Sequence, residues 1–466
     1  MKTLRDPDRL LATGLAAIRA QYKVPPSHPP EVLAEAELAA KRAPTEHVDR
    51  TGTAFVTLDP ASSTDLDQAF AIEASGGDLL LHYAIADVAW FVDDASAIDR
   101  EAWLRGTTSY LPDGKAGLYP RVLSEGAASL LPDGPRPAVV FTVRVAGDGA
   151  VKLDGAERAL VRSRAKLAYD SVQDSDVPAS FVELASRIQA AEDARGAARV
   201  DPPEQEVEAE GVAADGTPKF ALHLRPQLLS ERRNAALSLA TNLAVADLLQ
   251  AAHTGLFRVM AAPDARAIAR LRRTAQAFAL EWPAAMELTQ FERRLDPTDP
   301  RAAAFMLAVR RAGNGAAYQP WQPGVIPWHA AMAATYSHST APLRRLADRY
   351  VVRAALAVAN GRAVEPVVQE AFARLPETMA RADQRDNQID RAVIDLAEAA
   401  LLTGREGEAF AAVVTDIDER GARIQLADLP VVARTTARGV LPGAAIRVRL
   451  LQADLEHRAL AFERVG

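Results

Sequence analysis

Cysteine is absent from the chain. That excludes disulfides, thiolate-ligated zinc and a thiol nucleophile, and it fits an intracellular location. Uninterrupted apolar runs are missing too: none approaches the roughly 20 residues that a helical membrane span requires. The opening stretch, 1–21, is broken by Arg5, Asp6, Asp8 and Arg9, which leaves no apolar signal core. A cytoplasmic monomer without membrane or disulfide partners is expected. An excess of positive charge is also lacking. The formal net charge is −7, which argues against a non-specific nucleic-acid coat but leaves room for a local basic channel beside an acidic centre.

What is present is ordinary globular composition, 49 % hydrophobic and 25 % charged over 466 residues. A chain of this length is expected to divide into two or more domains. Segments 4–22 and 30–42 carry helical periodicity, the first through Leu10, Leu11, Leu15, Ile18 and Tyr22. Pro25, Pro26, Pro29 and Pro30 separate them, so 1–47 reads as a short helical arm. From Thr53 the pattern turns to strands: 55–58, 68–73 and 79–88, then a further hairpin from 138–145 and the segment after Gly149. Helical patterns dominate 178–404, among them 230–252, 263–279, 341–359 and 365–401, interrupted by a Pro- and Trp-rich loop at 318–328. Strands and helices together make 48–403 an α+β domain. Five short strands follow, at 409–417, 423–426, 431–435, 445–451 and 459–462, punctuated by Gly, Pro and Asp. That is the rhythm of an OB-type β-barrel over 404–466, with a generic small barrel as the competing reading.

The strongest local signal runs from Phe55 to Phe70. An apolar strand ends in Asp59-Pro60, and Asp65 and Asp67 follow across a Ser/Thr-rich spacer. In extended chain, Asp65 and Asp67 point to the same side. Clustered carboxylates repel, and a divalent cation removes that cost. Oxygen-only ligands favour Mg²⁺, or Mn²⁺, over zinc. On the residues alone, an Asp/Ser-rich solvated turn fits equally well.

The stretch from Leu58 to Asp67 resembles the signature of the ribonuclease II / ribonuclease R family: Ile-Asp-Pro, a Ser/Thr-rich spacer, then Asp, one residue and Asp-Asp-Ala. Further matches keep the family's order: Ile85-Ala86-Asp87-Val88, Gly106-Thr107-Thr108-Ser109-Tyr110-Leu111-Pro112, Tyr119-Pro120, Ser129-Leu130, and Tyr336-Ser337-His338-Ser339-Thr340-Ala341-Pro342-Leu343-Arg344-Arg345. The resemblance covers 48–403. It implies an RNB catalytic domain of mixed sheet and helices, followed by an S1-type OB domain that binds RNA. It also implies processive 3′→5′ hydrolysis of single-stranded RNA to nucleoside 5′-monophosphates. Several positions depart from the pattern, Ser339, Ala341 and Leu346 around the Arg pair among them. Gln68 stands where the family has a fourth acid, and the helix at Asn234-Ala235-Ala236-Leu237 lacks the family's glutamate. A catalytically weak or inactive RNA-binding protein of the same fold is therefore the alternative. Cold-shock-type domains precede the catalytic domain in most members, and with about 47 residues ahead of it here a different RNA entrance is expected.

Thr340 ahead of Pro342 looks like an N-cap, with Asn360-Gly361 as the stop, so a helix over 341–359 is expected to carry Arg344 and Arg345 just inside its N-terminus, where anions are favoured. Asp348 lies one turn on. By the residues alone, a solvated face with Arg–Asp pairs is the stronger reading. The resemblance instead makes Arg344 the residue that stabilises charge on the scissile phosphate, with Arg345 on a neighbouring phosphate. Asp59, Asp65 and Asp67 become the metal ligands. Tyr110 and Tyr169 become base-stacking residues, although core tyrosines fit either position equally. Asp390 and Arg391 resemble polar residues near the family's centre. His338 and Asp87 are read as structural.

Overall fold

The computed structural model describes residues 2–5, 10–198, 204–212, 218–225, 227–296, 299–313, 315–418, 421–436 and 439–465. Its centre is a seven-stranded mixed sheet. Across the sheet the order is Ser163–Ala168, Phe55–Asp59, Gln68–Ser75, Asp78–Ala86, Arg136–Val145, Val151–Val161 and Val48–Asp49. The two outermost pairings are parallel and the inner ones antiparallel. Strand Phe55–Asp59 is buried along its length until Asp59, and so ends where the acidic loop begins.

Helix Leu229–Ala251 packs across the sheet, flanked by helices Phe181–Arg195 and Leu346–Ala359. Its buried residues include Ala236, Leu237, Ala240, Leu243, Ala244 and Leu249. Small residues on this stripe bring the helix backbone close to the strands. The 37-residue helix Pro366–Leu402, hereafter the long helix, runs past the site. It joins the sheet domain to Leu11, Leu15 and Ile18 of helix Leu10–Gln21 through Ile389, Val393 and Leu396. At the C-terminal end, strands Ala409–Asp418, Gly421–Leu426, Val432–Thr435, Ala459–Arg464 and Ala445–Asp454 close into a barrel in that order. Leu402, the last residue of the long helix, belongs to the barrel's apolar core.

Four expectations need correction. The amino-terminal arm is not helical from its start: Lys2–Arg5 is a strand, 6–9 lie outside the described residues, and the helix begins at Leu10. Strands Glu204–Val212 and Pro218–Arg225 interrupt the stretch read as helical, and they complete a three-stranded sheet with Lys2–Arg5. The loop at 318–328 is partly ordered as strand, Ala317–Pro320 pairing with Leu256–Val259. Finally, the helix expected over 341–359 begins only at Leu346, and Arg345 occupies its N-cap position with extended backbone (φ −132°). The physical reason is Asp348. Its carboxylate accepts the Ala341 N–H at 2.8 Å and both the Nε and Nη2 of Arg345, which holds 341–345 as a turn in front of the helix.

Candidate active site

Three sequence-distant segments converge beyond the end of strand Phe55–Asp59. The acidic loop is anchored first: Ser129 Oγ accepts the Leu66 N–H at 2.9 Å and donates to the Thr64 carbonyl at 2.8 Å. The arginine turn and the Gly106–Tyr110 segment are then zipped together by backbone. Thr108 N–H donates to the Arg344 carbonyl at 3.0 Å, Leu346 N–H donates to the Gly106 carbonyl at 2.9 Å, and Thr107 bridges Arg345. From below, Asp386 on the long helix accepts Thr107 Oγ1 at 2.5 Å and Ser109 Oγ at 2.6 Å.

This scaffold brings Asp59, Asp65, Asp67 and Arg344 into one electrostatic centre. Asp67 is buried. Its Oδ1 accepts the Leu343 N–H at 2.7 Å and its Oδ2 accepts Arg344 Nε at 3.3 Å. Burial pushes its carboxyl up to about 7 against the pull of Arg344 and Leu343, with Asp65 adding to the rise. Burial likewise pushes Asp59 up to about 7, opposed by Arg344 and Lys166 and reinforced by Asp65. Asp65 is engaged at both oxygens: Oδ1 lies 2.7 Å from Lys115 Nζ, and Oδ2 accepts the Tyr110 hydroxyl at 3.0 Å. The Arg344 side chain is 46 % exposed, so it is open to solvent while its Nε pairs with Asp67.

The two tyrosines meet different carboxylates of this centre. Tyr110 is half-exposed beside Asp65. Tyr169 N–H donates to the Asp59 carbonyl at 3.2 Å, and its hydroxyl accepts Asn234 Nδ2 at 2.9 Å. Arg345 is spent differently from expectation: it forms a two-point pair with Asp348, and this orients the turn that carries Arg344. Asp390 and Arg391 are adjacent on the long helix but face different spaces. Asp390 lines a cavity of about 540 Å³ with Tyr110, Gln425 and Val432. Arg391 lines another with Arg258, Tyr318 and Asp383. Gln68 is tied into the sheet, its Oε1 accepting the Tyr83 hydroxyl. His338 is structural, its Nδ1 paired with Tyr318 hydroxyl at 2.9 Å and its pKa pushed well down by burial. Asp87 caps helix Val88–Phe91 and meets Arg158 and His47.

A groove of about 1340 Å³ is lined by Asp65, Tyr110, Lys115, Glu125, Glu206 and Arg225 among others. Tyr110, Leu111 and Pro112 also line the cavity that reaches barrel residues Gln425 and Val432. One hairpin therefore links the acidic centre to the barrel. Lys115 is the site residue that sequence reasoning missed. It stands opposite Tyr110 in the hairpin Ser109–Leu111 / Gly114–Ala116. The signal was present: Pro112-Asp113 form the two-residue turn between paired Leu111 and Gly114, and they set that register.

Carboxylates held near neutrality by burial are a donor set that a divalent cation relieves, and oxygen-only chemistry suits Mg²⁺ or Mn²⁺. The donor chemistry of Asp59, Asp65 and Asp67 suits such an ion, but their ligand oxygens do not all lie within 4.8 Å of one another. Among the described residues that spacing is met instead by Glu206, Glu208 and His223 on the neighbouring small sheet.

The fold and site together define an α+β protein with a carboxylate–arginine centre, a groove beside Asp65, and an OB-like barrel that shares a cavity with the Tyr110 hairpin. The RNB domain model matches residues 48–360, and the RNase II-type exonuclease C-terminal S1 domain model matches 408–465. The chain belongs to the RNB-domain family. It is 27 % identical over 444 residues to Ribonuclease R of Aquifex aeolicus, covering 89 % of this chain and 61 % of that relative. In fold it is similar to Mycoplasma genitalium RNase R in complex with ribose methylated single-stranded RNA (TM-score 0.85, 19 % identity, 98 % of this chain and 78 % of that one). It is also similar to yeast Ssd1, a pseudonuclease (TM-score 0.67, 16 % identity, 95 % and 57 %).

Proposed function

We propose that this protein is a 3′→5′ exoribonuclease that hydrolyses single-stranded RNA to nucleoside 5′-monophosphates with Mg²⁺. The observation that carries the reading is the convergence of Asp59, Asp65 and Asp67 with Arg344, where Asp65 also lines a groove shared with Tyr110. Family membership and the S1-type barrel support it. Asp59, Asp65 and Asp67 would hold the ion, which when bound supplies Lewis-acid stabilisation and lowers the pKa of water.

The chain's own residues do the rest. Arg344, half-exposed and anchored by Asp67, offers a planar fork to the phosphate oxygens as negative charge builds. Tyr110, beside Asp65, and Tyr169, beside Asp59, offer rings against which terminal bases stack. Water attacks the terminal phosphorus, the bond to the 3′ oxygen of the preceding nucleotide breaks, and that oxygen takes a proton. The shortened RNA keeps a 3′-hydroxyl and a 5′-monophosphate leaves. Asp390 and the barrel face lie along the approach. Domain limits at 1–47, 48–403 and 404–466 accompany this reading, with the barrel as an RNA guide.

The second reading, a weak or inactive RNA binder, is favoured by a specific observation. Gln68 carries no charge and has its carbonyl committed to Tyr83, and uncharged Asn234 faces Tyr169. A denaturing gel of 5′-labelled single-stranded RNA decides between the two, with wild type, Asp67→Asn and an EDTA control. Shortening from the 3′ end to a short limit product, absent in both controls, supports the exonuclease. Intact RNA that is still bound supports the alternative.

A further inference from the structure

Gln68 stands where the resemblance expects an acid, yet its carbonyl has a partner: Oε1 accepts the Tyr83 hydroxyl. Strand register explains the meeting. Tyr83 pairs with Phe70, and Gln68 precedes Phe70 by two residues on the same face of strand Gln68–Ser75. Tyr83 is fully buried. Burial, with Tyr169 and Asp59 beside it, pushes the phenol well above its ordinary range, so it stays an O–H donor. The Tyr83 oxygen is itself in hydrogen-bond contact with Ser238, which donates to it.

Ser238 belongs to helix Leu229–Ala251, where Asn234, Ser238 and Asn242 recur at i, i+4 and i+8 and so share a face. Each of these uncharged polar residues reaches a different part of the centre. Asn234 Nδ2 donates to the Leu58 carbonyl at 3.1 Å and to the Tyr169 hydroxyl at 2.9 Å. Ser238 Oγ lies 2.9 Å from Thr340 Oγ1. Asn242 Oδ1 accepts both the N–H and the Oγ of Ser339 at 2.8 Å, and its Nδ2 donates to Thr340 Oγ1 at 3.4 Å.

A hydroxyl has one proton to give, which sets the direction of the run. Ser238 gives its proton to Tyr83, so Thr340 donates to Ser238 and receives from Asn242. The order is Asn242, Thr340, Ser238, Tyr83, Gln68, each donating to the next. Gln68, the terminal acceptor, adjoins Asp67, and Thr340 leads into the turn that carries Arg344. Asp67 and Arg344 meet directly at 3.3 Å, and the run ties their two segments together behind that contact. A carboxylate at 68 would accept the same bond, but it would add a charge beside Asp59 and Asp67, whose carboxyls burial already pushes up to about 7. An amide ends the run without that cost.

Resting on the reading of Arg344 as a phosphate-binding residue, we propose that Gln68 is a positioning residue: it terminates an uncharged hydrogen-bond run that fixes the Asp67 strand to the Arg344 turn, and its amide is a working part of the centre.

The test is a double-mutant cycle on RNA affinity, read by fluorescence anisotropy of labelled single-stranded RNA in EDTA, so that no hydrolysis intervenes. Arg344→Gln is expected to weaken binding by about 10-fold in wild type, the worth of one charge-assisted phosphate contact. In Gln68→Leu or Ser238→Ala it is expected to cost less than about 2-fold, because the guanidinium is no longer held in place. Ser238→Thr, which keeps the hydroxyl, should restore the wild-type factor. The same factor in every background overturns the proposal, even where Gln68→Leu lowers the urea midpoint, since lost stability alone leaves the cycle additive. An Arg344→Gln that binds RNA like wild type overturns it as well. Should Gln68→Leu not fold, Ser238→Ala and Ser238→Thr carry the cycle. Mononucleotide release is measured separately with Mg²⁺. Its absence in wild type, beside a coupled cycle, removes the nuclease activity and leaves the role of Gln68 supported.

Discussion

Asp67 carries two loads that substitution can separate. Its carboxylate fixes the Leu343–Arg344 turn and completes the acidic centre. In Asp67→Asn the side-chain oxygen still accepts the Leu343 N–H, but the charge facing Arg344 and the neighbouring carboxylates is gone. Mononucleotide release is expected to fall by about 10²–10³-fold, with single-stranded RNA affinity retained in fluorescence anisotropy. Tyr110 splits differently. Tyr110→Ala should weaken RNA binding by about 1–3 kcal/mol through lost stacking. Tyr110→Phe should hold the affinity but lower kcat, because only the hydroxyl bonded to Asp65 is removed. Equal affinity loss in both variants would show that the ring does not stack.

At the scale of elements, the site depends on how closely the Gly106–Tyr110 segment lies against the long helix. Gly106 has φ +73°, and a Cβ there would sit 2.8 Å from Ala382 Cβ. Neither the backbone conformation nor the space suits a side chain. Gly106→Ala is expected to destabilise the chain by about 1–3 kcal/mol, read as a lower urea midpoint. It should also lower kcat, since the same backbone carries the Thr108–Arg344 link. An unchanged midpoint would mean that the helix yields at Ala382. Legibility at this scale followed range. Strand Phe55–Asp59 and helix Leu229–Ala251 announce themselves by local periodicity. Glu204–Val212 did not, because its glutamate-rich sequence has poor strand propensity and its sheet is completed by Lys2–Arg5, some 200 residues earlier in the chain. The start of helix Leu346–Ala359 was misplaced for a similar reason. Thr340 has the chemistry of a cap, but its hydroxyl meets Ser238 on another helix while Asp348 holds the turn.

For the whole molecule, Glu398 is the joint. From the long helix its Oε1 accepts the Val432 N–H of the barrel at 2.7 Å and Gln205 Nε2 of the small sheet at 2.6 Å. Gln205 also donates to the Pro430 carbonyl at 2.8 Å. Burial pushes the Glu398 carboxyl up to about 8, so the folded chain holds the protonated acid more tightly than the unfolded one does. The stability it contributes is full below the ordinary glutamate range near 4.3 and is lost as pH rises towards 8. Glu398→Gln keeps the accepting oxygen and cannot ionise. It should melt like wild type at pH 4 and be more stable at pH 8.5 by about 1–3 kcal/mol. A constant difference across that range would show that Glu398 is ionised in the folded chain. No helix among the described residues is long and apolar enough to cross a membrane.

Local sequence determined the elements and the candidate chemistry. Periodicity laid out the central strands and the five strands of the barrel, and the family resemblance of Leu58–Asp67 turned an acidic loop into a candidate centre. Only the tertiary structure decided who partners whom. It committed Arg345 to Asp348, sent Asp390 and Arg391 into different spaces, tied Gln68 to Tyr83 and brought Lys115 onto Asp65. The physical reason is that periodicity and capping act over a few residues, whereas charge pairing and close packing depend on distances that form only when segments remote in sequence are folded against one another.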